Sequence, residues 1–163
     1  MAKKKSARQK SLAEKQKKVK DVYREECEHP NKELRFSVGL PLSVNHMYRR
    51  TRRGGQVLSA EANQYVRDTR AKVLAIMEDE CFPKVENAAW YYLDLVFFMP
   101  DKRVRDSHNL LKLLLDSLED ALFHNDYYVM PRILGVEYDK GNGRTEVHFH
   151  PQTKEDRNKI VGL

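Results

Sequence analysis

Residues 90–116 read WYYLDLVFFMPDKRVRDSHNLLKLLLD, and this stretch decides the fold. The segment from Trp90 to Met99 is dense in Tyr, Leu, Val and Phe, so it predicts a central strand that is largely buried on both faces. Pro100 ends this strand. Leucines then recur at helical spacing and predict a helix from about His108 to Leu122. Its predicted buried face consists of Leu110, Leu111, Leu114, Leu115, Leu118 and Leu122.

Two further elements are predicted before the central strand. Leu34–Leu40 alternates apolar and other residues, which indicates a strand. Ser59 is a good N-cap, and Glu61 places an acid in the first turn of a helix that we expect to end near Glu80. Residues 42–56, between the strand and the helix, predict an irregular and very basic loop.

Two final strands are predicted after the leucine helix, over residues 132–139 and 144–150. The sequence Lys-Gly-Asn-Gly at residues 140–143 is interpreted as a hairpin connection between them. The complete order β-α-β-α-β-β predicts a single α+β domain with a mixed sheet and two main helices.

Positive charge is concentrated at the start of the chain. Residues 1–20 contain nine lysines and arginines against one glutamate, a net charge of +8, whereas the whole chain carries +6, so the remainder carries −2. We therefore divide the chain into a basic N-terminal extension (1–32, a frayed helix or disordered), a folded domain (33–151) and a loose C-terminal tail (152–163). The extension is either a non-specific phosphate-binding arm or a solvated segment.

The composition argues against several classes of protein. No apolar run approaches the roughly 18 residues of a membrane helix, and residues 1–5 are not followed by the apolar segment of a secretory signal. We therefore expect a cytoplasmic protein that does not contact membranes. Glycine-rich phosphate loops, nucleophile elbows and Cys-x-x-Cys pairs are absent from the sequence.

The leucine helix also carries a polar pattern. His108, Lys112 and Asp116 are four residues apart, so their side chains share one face. Asp106 directly precedes the helix, and Asp126 follows it in a predicted turn. Carboxylates hold hard divalent cations, and a lysine offsets negative charge on a phosphate substrate. The cluster therefore predicts a metal site that acts on phosphate.

Each of these residues also has a structural interpretation. Asp106 can cap the helix, and His108 can be an ordinary surface residue. Lys112 and Asp116 can form a solvated ion pair that contributes only tenths of a kcal/mol. The sequence alone does not bring Asp126 beside Asp106.

Other candidate metal ligands are weaker. Cys27 and His29 lie close together in the extension but have no partners. His148 and His150 share one face of the last predicted strand, and we favour structural or surface roles for them.

Arginines and lysines flank the polar helix in the sequence. The basic loop leads into Gly54-Gly55, a turn signal, and guanidinium groups suit contacts with a phosphate backbone. A solvated hairpin tip is the alternative interpretation. The predicted backbone contacts are Arg49, Arg50, Arg52, Arg53, Lys102, Arg103 and Arg105.

These motifs resemble the RusA family of crossover-junction endodeoxyribonucleases. The family pattern runs basic residues, Asp-x-Asp-Asn, two residues, Lys, three residues, Asp-x-Leu and a closing Asp-Asp, and residues 100–126 follow it. Residues 40–48, LPLSVNHMY, look like the family's proline-serine-asparagine-tyrosine loop, and residues 58–65 resemble the start of its next helix. The resemblance covers about residues 34–150.

The resemblance implies a RusA-like domain that nicks branched DNA with Mg²⁺ as its cofactor. Such a protein resolves Holliday junctions in recombination and repair, as a homodimer and often in a prophage. Carried across, Asp106 and Asp126 bind the metal, Lys112 assists catalysis, and Asp116 is a further motif acid. Asn45, in the family's loop, joins the predicted DNA-binding residues.

The chain departs from the family pattern at two positions. His108 replaces the second acid of Asp-x-Asp, and Asn125 replaces the first acid of the closing pair. Imidazole suits manganese, iron or zinc better than magnesium, so the substitution makes Mn²⁺ an alternative cofactor. We predict that His108 completes a metal site with Asp106 and Asp126, as a ligand or as a hydrogen-bond partner of one.

The sequence therefore predicts a metal-dependent endonuclease for branched DNA. The main alternative is a catalytically attenuated, structure-selective DNA-binding protein with the same fold, and His108 is the residue that favours it. A third hypothesis is an RNA-binding or protein-interaction module that acts through its basic extension.

Overall fold

The computed structural model of the chain describes residues 31–85 and 89–153. These residues form the predicted α+β domain with a mixed sheet. Most of the N-terminal extension and most of the C-terminal tail lie outside the described residues, so the proposed boundaries of the domain stay predictions.

The described elements follow the predicted order, with additional short elements in the basic loop and after the leucine helix. The strands are β1 Leu34–Gly39, β2 Tyr48–Arg50, β3 Gln56–Leu58, β4 Tyr91–Met99, β5 Val129–Tyr138 and β6 Arg144–Pro151. The helices are α1 Val44–Met47, α2 Ala60–Asp79 and α3 His108–Leu118, followed by a 3₁₀ turn at Asp126–Tyr128. None of the described helices combines the length and the apolar character that crossing a membrane requires.

The main sheet has four strands in the order β1-β6-β4-β5. Strand β4 therefore lies inside the sheet, as its continuous apolar sequence predicts. Six of its nine residues are buried, and Asp94 is one of them. It pairs in parallel with β5 and antiparallel with β6. Strand β1 pairs antiparallel with β6.

The hairpin predicted for residues 140–143 is wrong, because β5 and β6 are not neighbours in the sheet. The connection instead passes across the end of β4, where the amide of Asp139 donates to the carbonyl of Met99 (2.9 Å) and that of Gly141 to the carbonyl of Pro100 (2.9 Å). The Lys-Gly-Asn-Gly sequence indicated a tight turn correctly. It did not reveal that β4, which needs a hydrogen-bonding partner on each side, is placed between the two strands.

Helix α3 ends at Leu118, four residues before its predicted end. Asp120 has a positive φ of 67°, and its amide donates to the carbonyl of Phe123 (2.8 Å), so the chain turns here. Leu122 nevertheless reaches the core. The helical spacing of leucines therefore extends beyond the end of the helix, because the turn directs Leu122 into the same core.

Both long helices pack on one face of the main sheet. Ser59 caps α2 as predicted, because its hydroxyl accepts a hydrogen bond from the amide of Ala62 (3.1 Å). The core joins the inward residues of β1, β4 and β6, such as Phe149, to apolar side chains of the two helices, which include Val73, Met77, Leu110, Leu114 and Leu118.

A second apolar cluster attaches the basic loop to this layer. Met47, at the end of α1, packs with Ala62 of α2 and Leu113 of α3, and all three are fully buried. Leu113 was not in the predicted buried face of the leucine helix. It is buried because the loop folds back over a side of α3 that the sheet does not cover.

Candidate active site

Asp106 and His108 are brought together at the start of α3. Asp106 Oδ1 accepts a hydrogen bond from the backbone amide of His108 (3.0 Å) and lies 3.3 Å from His108 Nδ1. If Nδ1 carries the proton, the ring is oriented by the carboxylate and the Nε2 lone pair is free. Both side chains are exposed. The predicted capping of the helix by Asp106 and its availability for a ligand are therefore compatible.

A cleft of about 550 Å³ lies beside Asp106. The loop before α1 and the first turn of α2 form its other wall, which contributes Asn45, His46 and Glu61. Asn45 and Asp106, which are far apart in sequence, therefore share one cavity. Glu61 adds a carboxylate that the sequence suggested only as a favourable charge at the start of a helix, and nothing in the local sequence marks it as a site residue.

Lys112 and Asp116 form a close pair on the exposed face of α3. Lys112 Nζ donates a hydrogen bond of 2.6 Å to Asp116 Oδ1. This bond is the main cause that raises the pKa of Lys112 above its ordinary value of 10.5, and the negative charge of Asp126 is a smaller contribution. The lysine is therefore positively charged at neutral pH, and the carboxylate of Asp126 is close enough to act on it electrostatically.

Asp126 begins the 3₁₀ turn that follows the bend after α3 and is exposed. Asn125, at the second position that departs from the family pattern, caps this turn, because its side-chain oxygen accepts from the amide of Tyr127 (2.7 Å). Asparagine and aspartate perform this capping equally well. The substitution at residue 125 therefore preserves the local structure that places Asp126.

The three predicted metal ligands are not equally close to one another. Asp106 and His108 are adjacent, but these two and Asp126 do not form a group with all ligand atoms within 4.8 Å in the described part of the chain. The donor set of two carboxylates and one imidazole fits a divalent cation of the manganese type. Their joint coordination stays a prediction.

The arginines of the basic loop lie on a small hairpin formed by β2 and β3. Arg49 and Arg50 are in β2, whereas Arg52 and Arg53 are in the turn, and all four are exposed. Within residues 31–85 and 89–153 none of them forms an ion pair. The prediction of an irregular loop over residues 42–56 is therefore wrong, and the alternative of an exposed hairpin describes the local structure. That its cations contact phosphate stays a prediction.

The basic residues before α3 differ from one another. Arg105 donates two hydrogen bonds to the carboxylate of Asp101, at 2.6 and 2.8 Å. Arg105 is thus the main cause that holds the pKa of Asp101 well below its ordinary value. Lys102 and Arg103 are exposed. Arg105 is therefore engaged within the protein, whereas Arg103, whose Nε lies 4.0 Å from the same carboxylate, keeps a side chain that is 83% exposed.

An aromatic cluster next to Asp126 escaped the sequence analysis. The rings of Trp90, Tyr127 and Tyr128 lie with centroids 5.0 to 5.5 Å apart. Tyr127 is 67% exposed and Trp90 is 41% exposed. Exposed aromatic faces of this kind can stack on nucleobases. The tyrosine pair after Asp126 was the available signal in the sequence.

Comparison with known protein families gives a match to the part of the sequence that forms this site. The sequence model of the family described as endodeoxyribonuclease RusA matches residues 39–150. These residues include the arginine hairpin, both long helices and three of the four strands of the main sheet, together with every predicted site residue. A search of curated proteins finds no match for the chain.

Proposed function

Because the chain belongs to the RusA family of endodeoxyribonucleases, we propose that it is a metal-dependent endonuclease that nicks branched DNA and resolves Holliday junctions. The observation that carries the proposal is the start of α3, where Asp106 and His108 lie 3.3 Å apart. Lys112 follows one turn later on the exposed face of the same helix. Carboxylate, imidazole and ammonium groups are thus available to one phosphate.

Asp106, His108 and Asp126 would hold the divalent cation. Once bound, such a cation lowers the pKa of a water molecule and supplies the nucleophile for phosphodiester hydrolysis. Glu61, which lines the same cleft as Asp106, provides a further carboxylate. The imidazole makes Mn²⁺ at least as suitable as Mg²⁺.

Lys112 would stabilise the negative charge that develops on the phosphate. Its hydrogen bond to Asp116 orients the ammonium group before substrate binds, so little reorganisation is needed. Asp116 is therefore a positioning residue in this proposal, consistent with its place in the family motif.

The arginine hairpin and the exposed Lys102 and Arg103 would bind the DNA backbone. The aromatic cluster beside Asp126 would accept a base unstacked at the branch point. The tyrosines of this cluster directly follow Asp126 in the chain.

A homodimer would place two such sites on one junction. Strand β5 is an edge strand, and its Val136 and Tyr138 are about half exposed although their register partners in β4, Phe97 and Met99, are in the core. This uncovered apolar edge supports association with a second copy. We further propose a cytoplasmic, prophage-type enzyme; sedimentation of the protein with and without junction DNA tests the dimer.

The decisive experiment compares Asp106→Asn with Asp120→Asn on a synthetic four-way junction. Asp120 is a matched control because it is an exposed acid with positive φ, a conformation that asparagine tolerates. We expect Asp106→Asn to abolish nicking and keep binding, and Asp120→Asn to keep both. Undiminished nicking by Asp106→Asn would remove Asp106 from the mechanism.

The attenuated DNA-binding protein is the second candidate function, and the imidazole at residue 108 favours it. Incubation of the unmodified protein with the junction, first in magnesium and then in manganese, separates the two. Nicking in either metal supports the nuclease, whereas binding without nicking in both supports the second candidate.

A further inference from the structure

A cluster of possible metal ligands lies on the sheet face opposite the long helices. His148 and His150 alternate with the core residues Val147 and Phe149 along β6, so both imidazoles point away from the core. Asp94 of β4 is the register partner of His148 and faces the same side. Glu33, which precedes β1, reaches this face from the other neighbour of β6.

The side chains already lie at distances close to those of a metal site. The ligand atoms of Asp94, His148 and His150 are all within 4.8 Å of one another. His150 Nε2 is 3.2 Å from Asp94 Oδ2, and His148 Nε2 is 2.9 Å from Glu33 Oε2. In a tetrahedral zinc site with bonds of about 2.0–2.1 Å, neighbouring ligand atoms are about 3.3 Å apart.

We propose that Asp94, His148 and His150, with Glu33 as a fourth ligand, bind a transition-metal ion such as Zn²⁺. Two imidazole nitrogens and two carboxylate oxygens are a donor set that suits zinc, cobalt and nickel better than magnesium. The two imidazole rings are stacked with centroids 4.4 Å apart, so they lie beside each other on this face of the sheet.

The frame around these ligands is rigid. Asp94 and His150 are mostly buried, with side chains 10% and 17% exposed, and both are in paired strands of the main sheet. The side chain of Asp94 is further fixed by Arg132, which donates to both carboxylate oxygens at 2.5 and 2.7 Å. Hydrogen bonds of this kind commonly orient the ligands of a metal.

Arg132 also limits the affinity of the site. Its guanidinium group lies 3.4 Å from His150 Nε2 and brings a positive charge close to the bound cation. Each oxygen of Asp94 keeps a second lone pair for a metal, because a carboxylate accepts about four hydrogen bonds. The site therefore binds zinc less tightly than one whose ligands are free of a competing cation.

This site is separate from the one proposed for catalysis. Asp94 is in the middle of β4 on the outer face of the sheet, whereas Asp106 follows the end of that strand and leads into α3. Asp94 and His148 line a surface cavity of about 440 Å³ that contains none of the proposed catalytic residues. The bound metal would cross-link β4, β6 and the residue before β1.

Calorimetric titration of the full chain with zinc chloride, after treatment with a chelator, tests the site. We expect His148→Gln and His150→Gln each to lower the affinity of one zinc ion at least ~10-fold. The exposed His124→Gln is the matched control for loss of an imidazole, and Asp106→Asn is the control for the catalytic site. Both controls should bind that zinc ion as the unmodified protein does.

Unchanged zinc titrations of His148→Gln and His150→Gln would overturn the proposal, whatever the nuclease assays show. If these variants fail to fold, the ¹⁵N signals of the imidazoles in the unmodified protein decide. The His148 and His150 signals should both change, and at the same ratio of zinc to protein. Signals that stay in place at saturating zinc would contradict the proposal.

Discussion

The side chains of Lys112 and Asp116 are joined across one turn of α3 by a hydrogen bond of 2.6 Å. Because both groups are on the surface, this pair adds little to stability. The hydrogen bond instead fixes the position of the Lys112 ammonium group and favours its charged form.

We therefore expect Lys112→Ala to lower the rate of junction cleavage by roughly 10²–10³-fold, with little change in junction affinity. Asp116→Asn keeps the cation but removes the main cause of its raised pKa, so its effect on the rate should be below about 10-fold. Single-turnover cleavage assays measure both. Equal losses in the two variants would show that Asp116 acts directly on the substrate.

The contrast between Arg103 and Arg105 gives a prediction about DNA binding. Arg103 is exposed, whereas Arg105 is held by Asp101. Arg103→Ala should weaken junction binding and reduce the slope of log Kd against log salt by about one. Arg105→Ala should lower the melting temperature and leave that slope nearly unchanged. If the salt dependence is reduced in Arg105→Ala and not in Arg103→Ala, then Arg105 rather than Arg103 contacts the DNA backbone.

Met47 links the arginine hairpin to the helices. Its side chain is fully buried against Ala62 and Leu113. We expect Met47→Ala to cost about 2–5 kcal/mol of unfolding free energy and to weaken DNA binding, because the hairpin loses its anchor. Val57, exposed in the same hairpin, provides the control: Val57→Ala should cost under about 0.5 kcal/mol. Urea denaturation and junction titrations measure the two effects.

Tyr65 predicts how stability depends on alkaline pH. Its hydroxyl donates to the carbonyl of Gly39 (3.1 Å), and burial raises the pKa of the phenol above its ordinary value of 10. As the pH rises, the phenol therefore loses its proton in the unfolded chain before it does so in the folded protein. Because this favours the unfolded state, the unfolding free energy of the protein should fall above pH 10.

The matching measurement is urea denaturation of Tyr65→Phe against the unmodified protein from pH 8 to 11. The variant should be less stable near neutrality, by about 1 kcal/mol, because the hydrogen bond to Gly39 is lost. The difference in unfolding free energy between the two proteins should become smaller above pH 10. Parallel stability curves through pH 11 would contradict the assigned cause.

The sequence predicted those parts of the fold that depend on local patterns. Each of three patterns predicts the structure of the segment that contains it: the apolar run of β4, the Ser59 cap and the leucines at helical spacing. The order of strands was not accessible in this way, because a Gly-Asn-Gly turn has the same composition whether it joins neighbouring strands or passes over a third. The early end of α3 was hidden for a similar reason, since Leu122 is buried without being helical.

The candidate site was predictable where its residues are consecutive or match the family motif. Asp106, His108, Lys112 and Asp116 belong to one stretch of chain, so helical spacing placed them on one face. Glu61 and the aromatic cluster joined the site only through tertiary packing. For His148 and His150, spacing showed a shared face but not that Asp94 and Glu33 face them from neighbouring strands.

The strand order also determines when the domain can assemble. Strand β1 has one partner in the main sheet, β6, which ends at Pro151, more than a hundred residues later. A chain still emerging from the ribosome holds β1 without a hydrogen-bonding neighbour and β4 with one free edge until β6 is released. Such long-range closure makes folding slow and leaves unpaired strands exposed meanwhile. The nascent chain is thus most vulnerable to aggregation before β6 is available to pair.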